Sequence, residues 1–89
     1  MHVSKDFILR EIAGEFMLVP VGQAAARFNG LITMNEIGSF LFRALEQERS
    51  EEELTDLILG EYDVNRETAS ADLRDFLQQL RQLGALVEA

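Results

Sequence analysis

The run from Phe28 to Leu45, FNGLITMNEIGSFLFRAL, places the tightest constraint on the fold of this chain. Its apolar stretch Leu31-Ile32-Thr33 is short and typical of a strand. Thr33-Met34-Asn35-Glu36 then has the form of a capping box, which predicts a helix that starts at once. Apolar residues follow at helical spacing: Ile37, Phe40, Leu41, Ala44 and Leu45. The run therefore predicts a strand leading directly into a helix with one buried face.

The residues before this run predict a sheet. Two apolar-rich segments, Phe7 to Ile12 and Glu15 to Val19, flank Ala13-Gly14, a pair that favours a tight hairpin turn. Pro20 and Gly22 are expected to end the second strand. We expect the third strand between Ala24 and Thr33. Asn29-Gly30 interrupts it as a two-residue turn or as a bulge in one bent strand, and the short segment that follows favours the bulge.

The residues after the run predict two more helices. Ser50-Glu51-Glu52-Glu53 is a second capping box, and this short helix should stop near Gly60. Asn65 can cap a longer third helix that Gly84 terminates. The apolar stripe of that helix consists of Ala69, Leu73, Phe76, Leu77, Leu80 and Leu83. The fold class is therefore α+β: a single domain, residues 1–89, with a three-stranded antiparallel sheet followed by three helices. The tight links at 47–49 and 62–64 make it similar to a winged helix-turn-helix.

The charge of the chain argues against nucleic-acid binding. The net charge is -8, and half of the sixteen acidic residues lie between Glu46 and Asp63, where Arg49 is the only base. Binding to DNA or RNA depends on a basic patch, whereas this surface would attract a basic peptide. A winged-helix nucleic-acid binder therefore stays only as an alternative. Since no apolar run approaches a membrane span and the first residues do not resemble a signal peptide, we expect a cytoplasmic protein.

Candidate catalytic and metal-binding residues are scarce. The chain has no cysteine, and its single histidine, His2, lies at a terminus that we expect to be mobile. Asp72 and Asp75 are one helical turn apart and could look like an acid and base pair, but solvated helix carboxylates are far commoner at this spacing. The six glycines are scattered and form no phosphate-binding loop. We therefore expect a non-catalytic protein without a metal site or cofactor.

The order of three segments resembles the PqqD-like family, the peptide recognition elements of ribosomally made, post-translationally modified peptides. The segments are Leu31 to Phe42, Ser50 to Val64 and Ala71 to Leu86, and with the rest of the chain they extend the resemblance over nearly its whole length. The resemblance implies a protein that binds the leader part of a precursor peptide as an added strand, in a groove between the third strand and the third helix. It also implies delivery of that peptide to a modifying enzyme, for example a radical S-adenosylmethionine (SAM) enzyme.

Carried onto this chain, the resemblance places the guest peptide beside residues 27–33 and against the third helix. The implied peptide-binding residues are Arg27, Phe28, Leu31, Ile32, Thr33, Asp72, Leu73, Phe76, Leu77 and Leu80. Asp72 and Leu73 are the favoured contacts, while Phe76 and Leu80 are expected to be mainly core residues. Arg27 is either a solvated charge or a partner for a leader carboxylate. Phe28 belongs either to the core or to the groove, and Phe42 is either a second-layer core residue or part of an exposed patch for the modifying enzyme. Because an exposed sheet edge can also pair with a second copy, a self-associating module and a homodimer remain open alternatives to a monomer.

Overall fold

The computed structural model describes residues 1–88 as nine secondary-structure elements. In chain order they are β1 (His2–Val3), β2 (Phe7–Ile12), β3 (Glu15–Pro20), α1 (Gly22–Arg27), β4 (Ile32–Met34), α2 (Glu36–Ala44), α3 (Glu51–Glu61), α4 (Arg66–Leu83) and β5 (Leu86–Val87). The predicted α+β architecture is confirmed: β2, β3 and β4 form a three-stranded antiparallel sheet, and the helices α2, α3 and α4 follow it. The helix α1 and the two-residue strands β1 and β5 were not predicted.

The hairpin β2–β3 forms where the sequence predicts it. Six residue pairs join the two strands, from Phe7 opposite Pro20 to Ile12 opposite Glu15. Ala13 and Gly14 make the turn with φ angles of 53° and 82°, the positive values that a two-residue hairpin turn requires. This turn fixes the register, so that Phe7 and Leu18 both face the helices and are buried.

The third strand was expected somewhere between Ala24 and Thr33, and the favoured bulge at Asn29-Gly30 within it is wrong. Residues Gly22–Arg27 form the helix α1 instead, because its three consecutive alanines are strong helix formers and Ala24 can be buried against the core. Gly30 has a φ angle of 94° and lies in the loop that enters β4. The third strand of the sheet is therefore only the three residues Ile32–Met34.

Sheet order places β4 at an edge. The order is β2-β3-β4, and β4 pairs antiparallel with β3 through Phe16 opposite Met34, Met17 opposite Thr33, and Leu18 opposite Ile32. Met34 points into the core and is buried, whereas Thr33 is exposed on the other face. The second long side of β4 has no strand beside it within residues 1–88.

Three asparagine and serine side chains cap the main helices. Asn35, rather than the expected Thr33, caps α2: its Oδ1 accepts a hydrogen bond of 2.7 Å from the amide of Gly38. Thr33 cannot serve as the cap because its backbone is still paired with Met17 in the sheet. The capping box at Ser50 and the cap at Asn65 are confirmed. Gly84 ends α4 in the left-handed conformation, as predicted.

The core lies between the sheet and the three long helices. Its largest fully buried side chains are Leu18, Leu41, Phe42, Leu45, Leu54, Ile58, Leu73, Leu77 and Leu80. Phe42, for which a surface position was the alternative, is therefore a core residue. Phe28 is half-buried and its ring meets that of Phe7 edge to face, with 5.8 Å between centroids.

The amino-terminal residues are held in the structure, contrary to the expectation of a mobile end. His2 pairs with Val87 and Val3 with Leu86, which joins β1 to β5 in a second small sheet. The carboxylate of Glu48 accepts a hydrogen bond from the amino group of Met1 and lies 2.8 Å from Nδ1 of His2. No helix of residues 1–88 is long and apolar enough to cross a membrane.

A candidate binding groove between β4 and α4

A groove of about 500 Å³ opens between the unpaired edge of β4 and the outer side of α4. We call it the β4–α4 groove. The residues that line it are Thr33, Met34, Asn35, Ile37, Gly38, Asp72, Asp75, Phe76 and Gln79. The first five come from β4 and the start of α2, and the last four from the middle of α4.

The edge of β4 gives the groove a wall with unused hydrogen-bonding groups. Alternate residues of an edge strand turn their N–H and C=O groups away from the neighbouring strand, and no other strand of the described chain receives those of β4. Leu31, which precedes the strand, is 51% exposed and extends this edge with an apolar side chain. An extended peptide can pair with such an edge.

The floor of the groove is apolar and closely packed. Phe76 is only 7% exposed, and its ring rests against the backbone of α2 at Gly38. A Cβ atom on Gly38 would lie 3.5 Å from Cε1 of Phe76 and 3.0 Å from Oδ1 of Asn35. Glycine at this position therefore avoids a tight contact with the capping oxygen of Asn35, while the ring of Phe76 lies at ordinary van der Waals distance.

The α4 side of the groove is acidic. Asp72 and Asp75 are both exposed and lie one turn apart, and Gln79 continues the same row. Neither aspartate forms an ion pair or a side-chain hydrogen bond within residues 1–88, and the lining contains no lysine or arginine. The same residues contain no group of three or more His, Asp or Glu side chains arranged to hold a metal ion.

Three of the implied peptide-binding residues line the groove: Thr33, Asp72 and Phe76. Ile32 lies in β4 but packs against the core, and Leu31 lies just before the strand. The remaining five do not line the groove.

Among those five, the expectation that Leu73 presents a contact surface is wrong, because its side chain is fully buried, as are those of Leu77 and Leu80. Arg27 and Phe28 also lie elsewhere. The Arg27 guanidinium stacks 5.6 Å from the centre of the Phe28 ring and comes close to Gly84 at the end of α4. The Leu73 side chain therefore packs α4 against the core rather than contacting a guest peptide.

Sequence reasoning missed six lining residues: Met34, Asn35, Ile37, Gly38, Asp75 and Gln79. For two of them a signal existed. Asp75 and Gln79 stand three and seven residues after Asp72, which places them on the helix row that flanks Phe76. Gly38 carried a weaker signal, since a glycine in the first turn of an amphipathic helix can mark a close contact with another group.

Comparisons with known proteins identify the family of this chain. The sequence model of the PqqD family, described as "Coenzyme PQQ synthesis protein D (PqqD)", matches residues 15–86, and the chain belongs to that family. No curated protein sequence matches the chain.

Two solved structures have the same fold. "TbiB1 in Complex with the TbiA(beta) Leader Peptide" is 29% identical, with a TM-score of 0.77, and the alignment covers 100% of this chain and 99% of that one. "Lasso peptide synthetase B1 complexed with the leader peptide" is 15% identical, with a TM-score of 0.75 and coverage of 98% and 96%. The second likeness concerns the fold alone.

Proposed function

We propose that this protein is a non-catalytic adaptor that binds the leader segment of a ribosomally made precursor peptide and presents it to a modifying enzyme. One observation carries the proposal: the unpaired edge of β4 forms a wall of the groove. Membership of the PqqD family supports it, as does the likeness to TbiB1, a protein solved with a leader peptide.

Strand addition along β4 needs help from side chains. Because β4 has only three residues, it can form few main-chain hydrogen bonds with a guest, each worth about 0.5–1.5 kcal/mol net. These bonds barely offset the cost of ordering a flexible peptide. Burial of two apolar guest side chains on the groove floor at Phe76 adds about 1.5–3 kcal/mol each, which at its upper end corresponds to a Kd of roughly tens of micromolar.

The second partner in this proposal is the peptide-modifying enzyme. A radical SAM enzyme is the expectation that family resemblance gives, and it stays a proposal. Co-purification of the tagged protein with such an enzyme encoded beside it, with and without the precursor peptide, tests this step. If no modifying enzyme encoded beside it associates under either condition, the protein does not act as an adaptor for that enzyme.

Self-association is the alternative that a specific observation favours, because β2 and β4 are the two edges of the three-stranded sheet and neither pairs with a further strand in residues 1–88. A second copy could add to either edge in place of a peptide. Sedimentation velocity distinguishes the two: a tight dimer that added leader peptide does not dissociate would favour the self-associating module over the adaptor.

The experiment that tests the adaptor is an amide NMR titration combined with hydrogen exchange. The probe is a synthetic leader peptide from a precursor gene beside this one, and the control is the same peptide with its sequence scrambled. We expect shifts and new amide protection in Ile32–Met34, with further shifts at Asp72, Asp75, Phe76 and Gln79. Amides of β2, at the opposite edge of the sheet, should not change. Shifts confined to β2, or none at millimolar peptide, would contradict the proposed function for that peptide.

A further inference from the structure

Asp72 and Asp75 are the two acids that line the β4–α4 groove. Among the described residues, Glu48, Asp56 and Glu88 form ion pairs with the amino group of Met1, with Arg66 and with Arg81 respectively. Asp72 and Asp75 have no such partner in residues 1–88. Both line the β4–α4 groove, opposite the unpaired edge of β4. Their charges therefore act on whatever enters the groove.

The groove combines these charges with an apolar floor. Ile37 and Phe76 supply apolar surface beside the two carboxylates, and no base within the lining offsets the negative charge. A guest that buries an apolar side chain here brings its neighbouring residues close to the acids. Complementary charge is then favoured, and an acidic guest residue is repelled.

The spacing along α4 predicts where the complementary charge should stand. Asp72 is four residues from Phe76, which corresponds to about 6 Å of axial rise. In an extended strand, alternate side chains share a face and are about 6.6 Å apart. Consider an extended guest peptide that runs along α4 and packs one side chain on Phe76. The side chain two residues further along that peptide then lies next to Asp72. Asp75, next to Phe76 in sequence, is within reach of the same long basic side chain.

We infer that the groove selects an extended peptide in which Lys or Arg stands two residues from an apolar side chain. The apolar side chain packs on Phe76, and the basic group pairs with Asp72 and Asp75. This inference rests on the proposed function and specifies the chemistry of its ligand. Because both aspartates are exposed, the charge selects among peptides and accelerates their association more than it holds them.

A display library of random dodecapeptides tests the inference whichever precursor the protein binds. The full chain, the variant Asp72→Asn/Asp75→Asn and the control Glu61→Gln/Asp63→Asn are each used for selection. The control removes the same charge from exposed positions outside the groove lining. We expect the chain and the control to enrich peptides with Lys or Arg two residues from an apolar residue. The groove variant should keep the apolar preference and lose the basic one.

Binding of one selected peptide gives the quantitative test. Loss of both groove charges should raise the Kd for this peptide by about threefold to tenfold at low salt, the effect expected of exposed ion pairs. The difference should shrink at high salt because the charges are screened. Circular dichroism spectra of all three proteins should coincide.

The outcomes separate the two levels of the argument. Enrichment of apolar peptides without a basic preference, or equal Kd values for the chain and the groove variant, would overturn the inference and leave the peptide-binding function standing. If the unaltered chain enriches no peptide at all, the result counts against the proposed function as well.

Discussion

Gly38 of α2 and Phe76 of α4 lie beside each other at the groove, since a methyl group on Gly38 would stand 3.5 Å from Cε1 of the Phe76 ring. The same methyl group would lie 3.0 Å from Oδ1 of Asn35, the atom that caps α2. A hydrogen atom at this position thus leaves room for the capping oxygen of Asn35, while the Phe76 ring would meet a methyl group at ordinary van der Waals distance.

We predict that Gly38→Ala changes stability little but weakens peptide binding. Alanine gains about 0.5–1 kcal/mol over glycine within a helix, and displacement of the Asn35 cap costs a similar amount. Peptide affinity should fall because the added methyl group shifts Asn35 or the Phe76 ring in the groove.

Gly60→Ala is the matched control for that change, since Gly60 is also helical and has open space around its Cβ position. It should stabilise the protein by up to about 1 kcal/mol without an effect on peptide affinity. Urea unfolding and peptide titration of both variants provide the comparison. Equal stabilisation by the two substitutions would show that the contact at Gly38 is not tight.

Leu73→Ala should destabilise the fold strongly. The Leu73 side chain is fully buried on the inner face of α4. Its truncation removes core contacts and leaves a cavity, at a cost of about 2–5 kcal/mol. Asp72→Ala, the adjacent exposed position, should change stability by no more than about 0.5 kcal/mol. Chemical denaturation followed by circular dichroism measures both. A cost under about 1 kcal/mol for Leu73→Ala would mean that its side chain is not in the core.

The sequence features that were correctly predicted are local ones. The caps at Ser50 and Asn65 and the end of α4 at Gly84 each depend on a few adjacent residues, and so does the turn at Ala13-Gly14. The helix stripe of α4 likewise follows from its own periodicity. Such features do not depend on the rest of the chain.

The features that were missed depend on tertiary contacts. Thr33 and Asn35 are both acceptable caps in sequence, and the pairing of Thr33 with Met17 in the sheet decides between them. The helix α1 is short and buries only Ala24, so its pattern is weak. Two-residue strands such as β1 and β5 are too short to show a periodic pattern in the sequence. Each is a strand only because it pairs with the other.

The position of the groove was predicted, but most of its lining residues were not, again because they depend on tertiary contacts. Periodicity identifies the buried stripe of α4, which contains Leu73 and Phe76 alike. It cannot say which of these two meets another helix at a glycine and stays accessible. That distinction comes from the placement of Gly38, which is remote in sequence.

The capping box of α3 should make stability depend on pH. Hydrogen bonding to Ser50 holds the pKa of Glu53 below its ordinary value of 4.5. The Ser50 backbone amide has the larger effect and the Ser50 side chain the smaller one. A carboxylate with a lowered pKa in the folded state contributes stability above pH 4.5, and the contribution is lost as the pH falls through the folded-state value.

The variant Glu53→Gln removes this titration while it keeps an acceptor for the Ser50 amide. We expect the unaltered protein to exceed the variant in stability by a constant amount above pH 4.5 and by less at lower pH, as measured by urea unfolding at a series of pH values. Glu52→Gln, in the same helical turn, removes a charge without altering the cap. A stability difference for Glu53→Gln that is independent of pH would contradict this role of the cap.

Asn35 and Asn65 offer the sharpest separation of stability from binding, because they make the same cap in different places. Each side chain accepts a hydrogen bond from the amide three residues on, at 2.7 Å for Asn35 and 2.8 Å for Asn65. Substitution of either by alanine should cost about 0.5–2 kcal/mol of stability. Asn35→Ala should also weaken peptide binding, because Asn35 lines the groove and caps the helix start that forms one side of it, whereas Asn65→Ala should leave the affinity unchanged. Thermal unfolding and isothermal titration of the two variants measure both effects. Equal losses of affinity would indicate that binding follows global stability rather than the geometry of the β4–α4 groove.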